Sequence, residues 1–342
     1  MDKKQWFRER KWGVFFHYLH GSMNTANSLR SMGKETSWEE CVNDFDVEFV
    51  AEQLHEINAG YLGITIMQAT KHMIAPNETY HRLLDYDPRY KTGVACSSRD
   101  LIADLINALG KYDIPLFLYF TGDGPFFDDD AWFKLGGIMK EDGKRVLPDK
   151  FVDNWTSVLR EYSLRYGDGI KGWWLDGMFE GFFPGIEHPG INKFKDAALS
   201  GNSNALFAAN YYGCGREIYR RELGNYGKML IGDWYHKIMP PTKFCDYTAG
   251  ELNQFDAYPE QFEIEGAVPH VMSFLGIPRI PVETHAGWGK PGSKYTPEYM
   301  RGYVECVNHL GGVVTIDCAV YRDGHIDEEQ MKVFRALKEI RG

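Results

Sequence analysis

Residues 114–122, IPLFLYFTG, decide the fold class, because they form a continuous apolar run in a chain of 342 residues. A run without alternation of polar and apolar residues is typical of a parallel strand that is buried on both faces. A helical stretch follows at 151–166, and a second apolar run, GWWLDG, follows at 172–177. This strand–helix–strand order predicts a parallel sheet that is covered by helices.

The same alternation continues on both sides of this unit, although residues 244–290 show no clear pattern. Because no linker or repeat interrupts it, the pattern favours an α/β fold with a closed (β/α)8 TIM-like barrel. We expect a single catalytic domain over residues 1–342. Such a barrel needs about 250 residues, so the length leaves room for long loops. The additional strands are predicted at 11–19, 61–69, 204–213, 228–236 and 311–319, and the additional helices at 46–58, 98–111, 295–309 and 327–340.

Composition and motifs exclude several classes of function. The formal net charge is −10 without a block of Lys or Arg, so we do not expect a nucleic acid as partner. No apolar run reaches the ~20 residues of a membrane span, and no Gly-x-Gly-x-x-Gly turn follows the first strand. We therefore expect neither a membrane partner nor a dinucleotide, and no cofactor. The absence of His-x-His and His-Glu-x-x-His pairs makes a metallohydrolase the weaker alternative.

The N-terminal segment bears on the expected location of the protein. Residues 1–13 contain no apolar stretch before Trp6, so they do not read as a secretory signal. The sequence predicts a cytoplasmic protein, or an exported one whose signal peptide has been removed. A homo-oligomer is compatible with either location.

Polar side chains close most of the predicted strands. Active sites of barrel enzymes form where the strands end, at the carboxyl edge. The result is a ring of carboxylates, imidazoles and aromatics, which is what glycoside hydrolysis needs: two carboxyl groups flank the anomeric carbon, and other groups hold the sugar. A carbohydrate is therefore the expected partner. The ring consists of His17, His20, His72, Tyr119, Asp123, Asp176, Asn210, Asp233, His236, Asp246, Glu251, Glu263, Glu265, Glu283 and Asp317.

Each of these residues also has a purely structural interpretation. Asp176 lies between aromatics and a glycine in WWLDG, and a carboxylate there is as consistent with a helix cap or a buried ion pair as with catalysis. A single histidine at a strand end, such as His17 or His72, is more often a structural residue, but several on one edge favour a site. Glu251 taken alone is most simply a solvated loop acid.

Six segments resemble glycoside hydrolase family 29, the α-L-fucosidases. One of them, PLFLYFTGDG (115–124), is similar to that family's third strand, which ends near Tyr-x-Ser. KWGVFFHYLHG (11–21) is similar to that family's K-F-G-I-F-x-H-W-G opening, and GITIMQATKHM (63–73) to its second strand, which ends in Thr-x-Lys-His-His. GWWLDG (172–177) resembles its Trp-x-Asp-Gly segment, and DYTAGE (246–251) its Asp-Tyr-x-Thr-x-Glu segment. Residues 295–327 resemble its closing helix, strand and Asp-Gly-x-Ile stretch. All of the segments occur in the family's order.

The resemblance implies a retaining mechanism without cofactor or metal. It implies that Asp176 attacks the anomeric carbon and that Glu251 first protonates the leaving group and then activates water. Because the acid/base varies within the family, three other glutamates compete with Glu251 for this role. The competitors are Glu263, Glu265 and Glu283, and the residues expected to contact the sugar are His17, Trp38, His72, Tyr119 and Trp174.

The sequence departs from the family pattern at sugar-contacting positions. Tyr18 replaces a Trp, Met73 replaces the second His of a pair, and we expect no C-terminal β-sandwich of the kind usual in the family. These changes affect the substrate more than the reaction. Three hypotheses follow: a retaining glycosidase for an α-L-fucoside or another sugar, an inactive or purely sugar-binding relative, and a hydrolase that uses a metal.

Overall fold

A computed structural model describes residues 2–86, 95–179, 181–184, 188–212, 244–252, 254–256, 266–277 and 287–342. Within these ranges the chain alternates between strands and helices as the sequence predicts. The strands are β1 (Trp12–Phe16), β2 (Leu62–Thr65), β3 (Leu116–Thr121), β4 (Ile138–Met139), β5 (Arg145–Val146), β6 (Ile170–Phe179), β7 (Leu206–Tyr212), β8 (His270–Phe274) and β9 (Val313–Cys318). The helices are α1 (Lys3–Arg10), α2 (Trp38–Asn43), α3 (Val47–Glu56), α4 (Glu78–Leu83), α5 (Leu101–Gly110), α6 (Asp129–Lys134), α7 (Asp149–Tyr166), α8 (Pro189–Ala198), α9 (Pro297–His309) and α10 (Glu328–Leu337).

Seven of these strands form one curled sheet in the order β7-β6-β3-β2-β1-β9-β8, and all of its neighbouring strands are parallel. The described fold is thus mixed α/β with a parallel sheet, consistent with a TIM-like barrel. Strands β4 and β5 form a separate antiparallel hairpin. The sequence missed β8, whose five residues HVMSF include a histidine and a serine and lie in the stretch without a clear pattern. The strand predicted at 228–236 lies outside the described residues.

Both faces of the large sheet are buried, which explains the continuous apolar runs. In β1, Val14 and Phe16 pack in the core between sheet and helices, whereas Phe15 points to the inner core. This inner core also contains Phe117, Trp174 and ten further side chains that are less than a tenth exposed. Successive strand residues point to opposite faces, so a strand with two buried faces has no polar alternation.

Helix ends follow the capping rules of their sequences. The Asp100 carboxylate accepts a hydrogen bond from the Ala103 amide at 3.0 Å and starts α5. Thr296 caps α9 in the same way, with Pro297 in the first turn, where its missing N–H costs nothing. No helix in the described ranges is both long and apolar enough to cross a membrane.

Residues 245–252 bridge the two edge strands of the sheet. On one side the Asp246 amide donates to the Phe207 carbonyl of β7 at 2.8 Å. On the other side the Leu252 amide donates to the Met272 carbonyl of β8, and the Met272 amide donates to the Gly250 carbonyl, both at 2.8 Å. The segment CDYTAGEL therefore lies between β7 and β8, and it carries Glu251 to the carboxyl edge of the sheet.

Candidate active site

A cavity of about 430 Å³ opens at the carboxyl edge of the sheet. Its walls come from the ends of β1, β3 and β6, from the bridging segment 245–252, and from two loops at 19–30 and 288–291. This is where barrel enzymes place their chemistry. Of the residues predicted from the sequence, the cavity brings together His17, Tyr119, Trp174, Asp176 and Glu251.

One amide group connects the two predicted catalytic carboxylates. Asn210 Nδ2 donates to Asp176 Oδ1 at 3.1 Å and to Glu251 Oε2 at 2.5 Å. An amide nitrogen carries two hydrogens, so each carboxylate receives one of them. The Tyr119 hydroxyl donates to the other Asp176 oxygen, Oδ2, at 2.6 Å. Both oxygens of Asp176 thus accept a hydrogen bond from a side chain.

Two aromatic rings build the wall beside Asp176. Tyr119 and Trp174 are register partners on β3 and β6, and their rings stack with centroids 5.3 Å apart at 18°. Trp174 Nε1 donates to the Ala249 carbonyl at 3.0 Å, which ties β6 to the bridging segment. The polar end of the indole is therefore satisfied within the protein, and its ring remains as an apolar wall of the cavity.

Burial changes the titration of the groups around Asp176. Burial, followed by the charge of Asp176, raises the pKa of Tyr119 well above its usual value, so Tyr119 stays a hydrogen-bond donor. The same two causes, in the same order, raise the pKa of Asp123 well above its usual value. Asp123 packs against Gly177, which has a φ of +68°, and a Cβ there would collide with its carboxyl group. Burial and the charge of Asp176 thus both favour the neutral form of Asp123 over a second charge beside Asp176.

His17 is held by a buried carboxylate. Its Nδ1 lies 2.6 Å from Asp317 Oδ1, and the Gly289 amide donates to Asp317 Oδ2 at 2.6 Å. Asp317 is fully buried. Since a carboxylate only accepts, His17 Nδ1 carries a hydrogen, and Nε2 is the ring nitrogen that remains for a ligand.

Trp38 and His72 do not line this cavity. They belong to a ring cluster with His20, in which the two imidazoles stack with centroids 3.6 Å apart. Trp38 Nε1 donates to the Met73 carbonyl at 2.8 Å. Burial, followed by the neighbouring His20 and Lys71, lowers the pKa of His72 to about 4. Sugar contacts by Trp38 and His72 stay predictions.

The sequence placed Asn210 in the ring of strand-end residues without a specific role, and it did not single out Arg30. Asn210 is fully buried and is the one polar side chain among the six residues of LFAANY, and a buried amide inside a strand run is a usable signal for a site. Arg30 lies in a loop whose sequence, SLRSMG, carries no comparable signal.

Five of the residues predicted from the sequence cannot be placed, and metal ligands can be sought only among the described residues. Asp233, His236, Glu263, Glu265 and Glu283 lie outside the described residues. Across the described ranges, no group of three or more His, Cys, Asp or Glu side chains is placed to hold a metal ion.

Comparisons with known proteins were made by sequence and by structure. No protein-family model matches the sequence, and no curated protein matches it. Solved structures do match. The endo-fucoidan hydrolase P5AFcnA of glycoside hydrolase family 107 has a TM-score of 0.66 at 14% identity, covering 100% of this chain and 94% of that chain.

Two α-L-fucosidases match over nearly the whole chain as well. AlfC from Lactobacillus casei, in complex with its α-L-fucose product, has a TM-score of 0.61 at 15% identity, covering 100% of this chain and 98% of that chain. A family 29 enzyme from Bacteroides thetaiotaomicron has a TM-score of 0.60 at 13% identity, covering 99% and 73%. Identities this low establish a shared fold. The fold is that of fucosidase-like glycoside hydrolases, and it does not single out family 29.

Proposed function

We propose that this protein is a retaining glycoside hydrolase for an α-L-fucoside or a related sugar, with Asp176 as nucleophile and Glu251 as acid/base. The observation that carries the proposal is the single Asn210 amide that binds both carboxylates. We further propose that the whole chain, 1–342, is one (β/α)8 barrel domain. In this barrel, residues 245–252 close the sheet between β7 and β8.

The separation of the two carboxylates supports a retaining mechanism. Their hydrogen bonds of 3.1 and 2.5 Å meet at one nitrogen, so Asp176 Oδ1 and Glu251 Oε2 are at most about 5.6 Å apart. Retaining glycosidases hold their carboxyl groups about 5–5.5 Å apart, whereas inverting enzymes need about 6.5–9.5 Å to admit a water molecule between them. The spacing favours direct attack by Asp176.

The first step forms a covalent intermediate. An Asp176 oxygen attacks the anomeric carbon while the glycosidic oxygen takes the proton of Glu251 and leaves with the bonding electrons. In the second step, Glu251 removes a proton from water, the water oxygen attacks the anomeric carbon, and the Asp176 carboxylate is released. Tyr119 and Asn210 keep the Asp176 oxygens in place through both steps.

The choice of sugar rests on the structural neighbours and on the shape of the cavity. The names of the matched proteins point to fucosides and fucoidan as their substrates, and one neighbour holds α-L-fucose. Trp174 and Tyr119 offer an apolar wall, and His17, whose ring centroid lies 6.1 Å from that of Tyr119, offers Nε2 as a polar group. A sugar with one apolar face and several hydroxyls fits such a cavity.

The test is hydrolysis of a panel of 4-nitrophenyl glycosides, beginning with the α-L-fucoside. We expect activity from the wild type and a loss of at least about 10³-fold in Asp176→Ala, because removal of a nucleophile abolishes the covalent route. Asp130→Ala, which changes an exposed carboxylate on α6, serves as the matched control and keeps wild-type activity. Circular dichroism checks that both variants are folded.

Product stereochemistry tests the retaining step separately. Proton NMR during the first minutes of hydrolysis should show the α-anomer of the released sugar before mutarotation. An initial β-anomer would establish inversion. Silence across the panel, with sugar binding intact, would make the protein a sugar-binding relative instead.

A further inference from the structure

The cavity has a cationic side that the proposed hydrolysis does not use. Arg30, in the short turn Leu29–Ser31, lines the cavity although it is only 6% exposed. Lys290 lines the same side from the second loop. Arginine is rarely this buried without a charged partner, because removing a guanidinium from water costs several kcal/mol.

The hydrogen bonds around Arg30 leave much of its donor capacity for a ligand. Arg30 Nη1 donates to the His17 carbonyl at 2.8 Å, and a guanidinium has five N–H donors. The nearby Asp317 carboxylate is bound at one oxygen by His17 Nδ1 and at the other by the Gly289 amide. Within the described ranges, no carboxylate forms a direct ion pair with Arg30. Burial lowers the pKa of Arg30 and the charge of Asp317 opposes that shift, but arginine keeps its proton in proteins.

The position of the guanidinium is set by the backbone beside it. A Cβ on Gly289 would come within 2.7 Å of Arg30 Nη1, so the main chain of the 288–291 loop packs directly against the guanidinium. The Arg30 carbonyl accepts the Arg322 amide at 2.9 Å, which holds the turn from the other side. The guanidinium of Arg30 is therefore held in one position in the cavity wall, where its N–H groups can donate hydrogen bonds to a ligand.

We propose that the sugar bound in this cavity carries an anionic substituent, a sulfate ester or a carboxylate, which Arg30 receives together with Lys290. The inference rests on the proposed function, because it assumes that a sugar occupies the cavity. With a neutral hydroxyl as ligand, the guanidinium has the charge of Asp317 nearby but no carboxylate paired directly with it, whereas an oxyanion accepts two parallel hydrogen bonds from a guanidinium. The substituent lies on the Arg30 side, away from the carboxylates of Asp176 and Glu251, which would repel it.

Binding measured without turnover tests this proposal. The inactive Asp176→Ala protein is titrated by calorimetry with L-fucose, with its 2-, 3- and 4-sulfates, and with galacturonic acid. We expect at least one anionic sugar to bind at least about tenfold more tightly than L-fucose, as a charge-assisted hydrogen-bonded pair implies. Comparing the affinities of the fucose sulfates with that of galacturonic acid shows whether the substituent is a sulfate ester or a carboxylate.

Variants of Arg30 assign the preference to this residue. In the Asp176→Ala background, Arg30→Met should remove the preference for the anionic sugar, whereas Arg30→Lys should retain part of it. Equal binding of charged and uncharged sugars, or a preference that survives Arg30→Met, would overturn the proposal. Should Arg30→Met fail to fold, competition decides: inorganic sulfate must displace the anionic sugar from the Asp176→Ala protein more strongly than chloride does at equal ionic strength.

This experiment separates failure of the inference from failure of the proposed function. Hydrolysis of uncharged glycosides without any preference would keep the function and overturn the inference. Arg30-dependent binding of an anionic sugar by a protein that is silent on the glycoside panel would keep the inference and overturn the function. Absence of sugar binding in every arm would overturn both.

Discussion

Asn210 is the residue on which the arrangement of the site depends. Its amide nitrogen lies between two carboxylates that would otherwise repel each other, and it gives one hydrogen to each. Burial and the charge of Asp176 raise the pKa of the neighbouring Asp123, which favours its neutral form. The proposed mechanism adds a protonated Glu251, so the pair carries a single negative charge before the first step. That is the protonation state in which a retaining glycosidase binds its substrate.

Replacement of Glu251 tests the acid/base role. Glu251→Ala should still form the glycosyl-enzyme from a 4-nitrophenyl glycoside, because nitrophenolate needs little protonation to leave. The second step should then be slow, and added azide should restore turnover by attacking the anomeric carbon in place of activated water. The measurement is the rate of nitrophenol release with and without azide, together with identification of the glycosyl azide.

The three competing glutamates provide the controls for this experiment. Glu263→Ala, Glu265→Ala and Glu283→Ala should keep their activity and show no response to azide. If one of them is rescued by azide while Glu251→Ala behaves as the wild type, the acid/base role belongs to that residue.

At the scale of elements, the bridging segment 245–252 connects the fold to the chemistry. Its amides and carbonyls bond to β7 on one side and to β8 on the other, and Trp174 on β6 donates to its Ala249 carbonyl. Gly250 makes this close approach feasible, because a Cβ there would collide with the His270 carbonyl and its φ is +68°. The next residue is Glu251, so its place in the cavity depends on this packing.

A methyl group at position 250 should therefore disturb both stability and activity. We expect Gly250→Ala to lower the free energy of unfolding by about 2 kcal/mol or more, since it combines a backbone collision with a left-handed φ. The rate of glycoside hydrolysis should fall with it, because Glu251 is displaced. Urea unfolding and the nitrophenyl assay measure the two effects.

Gly143→Ala is the matched control for this change. Gly143 has a φ of +78°, and a Cβ there would meet nothing within 4 Å. It should show only the cost of the left-handed backbone, about 1 kcal/mol, and keep full activity. Equal effects of the two substitutions would show that the approach of 245–252 to β8 is not critical.

At the scale of the whole molecule, a buried histidine should make the stability of the fold depend on pH. His270 is 1% exposed and fills the interior of the curled sheet. Its Nδ1 lies 2.9 Å from the Thr248 carbonyl, and its Nε2 lies 2.6 Å from Thr315 Oγ1. Phe7 and Tyr247 pack against its ring. Burial lowers the pKa of His270 from 6.5 to about 4, with the backbone hydrogen bonds opposing the shift.

The fold should consequently lose stability as the pH falls from about 6.5 to about 4. In that window the unfolded chain binds a proton at His270 and the folded chain does not, so acid favours unfolding. A shift of this size corresponds to about 3 kcal/mol. Urea unfolding at several pH values measures the slope. His270→Gln should be less stable at pH 7 but should show a shallower decline, and an unchanged decline would assign the acid sensitivity to other groups.

Six of the strands could be predicted from the sequence, and β8 could not. The runs at 11–19, 61–69, 114–122, 172–177, 204–213 and 311–319 each contain an observed strand, because burial on both faces leaves a local mark. β8 was missed because HVMSF is short and contains a histidine and a serine. Both are buried, and the partners of His270, Thr248 and Thr315, are distant in sequence.

The candidate site could be predicted only in part from the sequence. The sequence predicted Asp176 and Tyr119 at strand ends, and the structure places both in the cavity wall, while their roles in catalysis and sugar binding stay predictions. Trp38 and His72 were expected near the sugar, yet they lie in a cluster that does not line the cavity. His72 follows β2 and Trp38 begins α2, but the sequence does not show the path of the loops that set their distance from Asp176.

The sequence by itself determined where the chain is apolar on both faces, where strands end and which carboxylates stand at those ends. Only the tertiary structure decided that residues 245–252 lie between β7 and β8, that Asn210 binds both carboxylates, and that Arg30 enters the cavity wall. The physical reason is the range of the interactions. Burial and helix capping act within a few residues and leave a local pattern. The hydrogen bonds that assemble this site join residues that lie tens to hundreds of positions apart, and no local pattern records them.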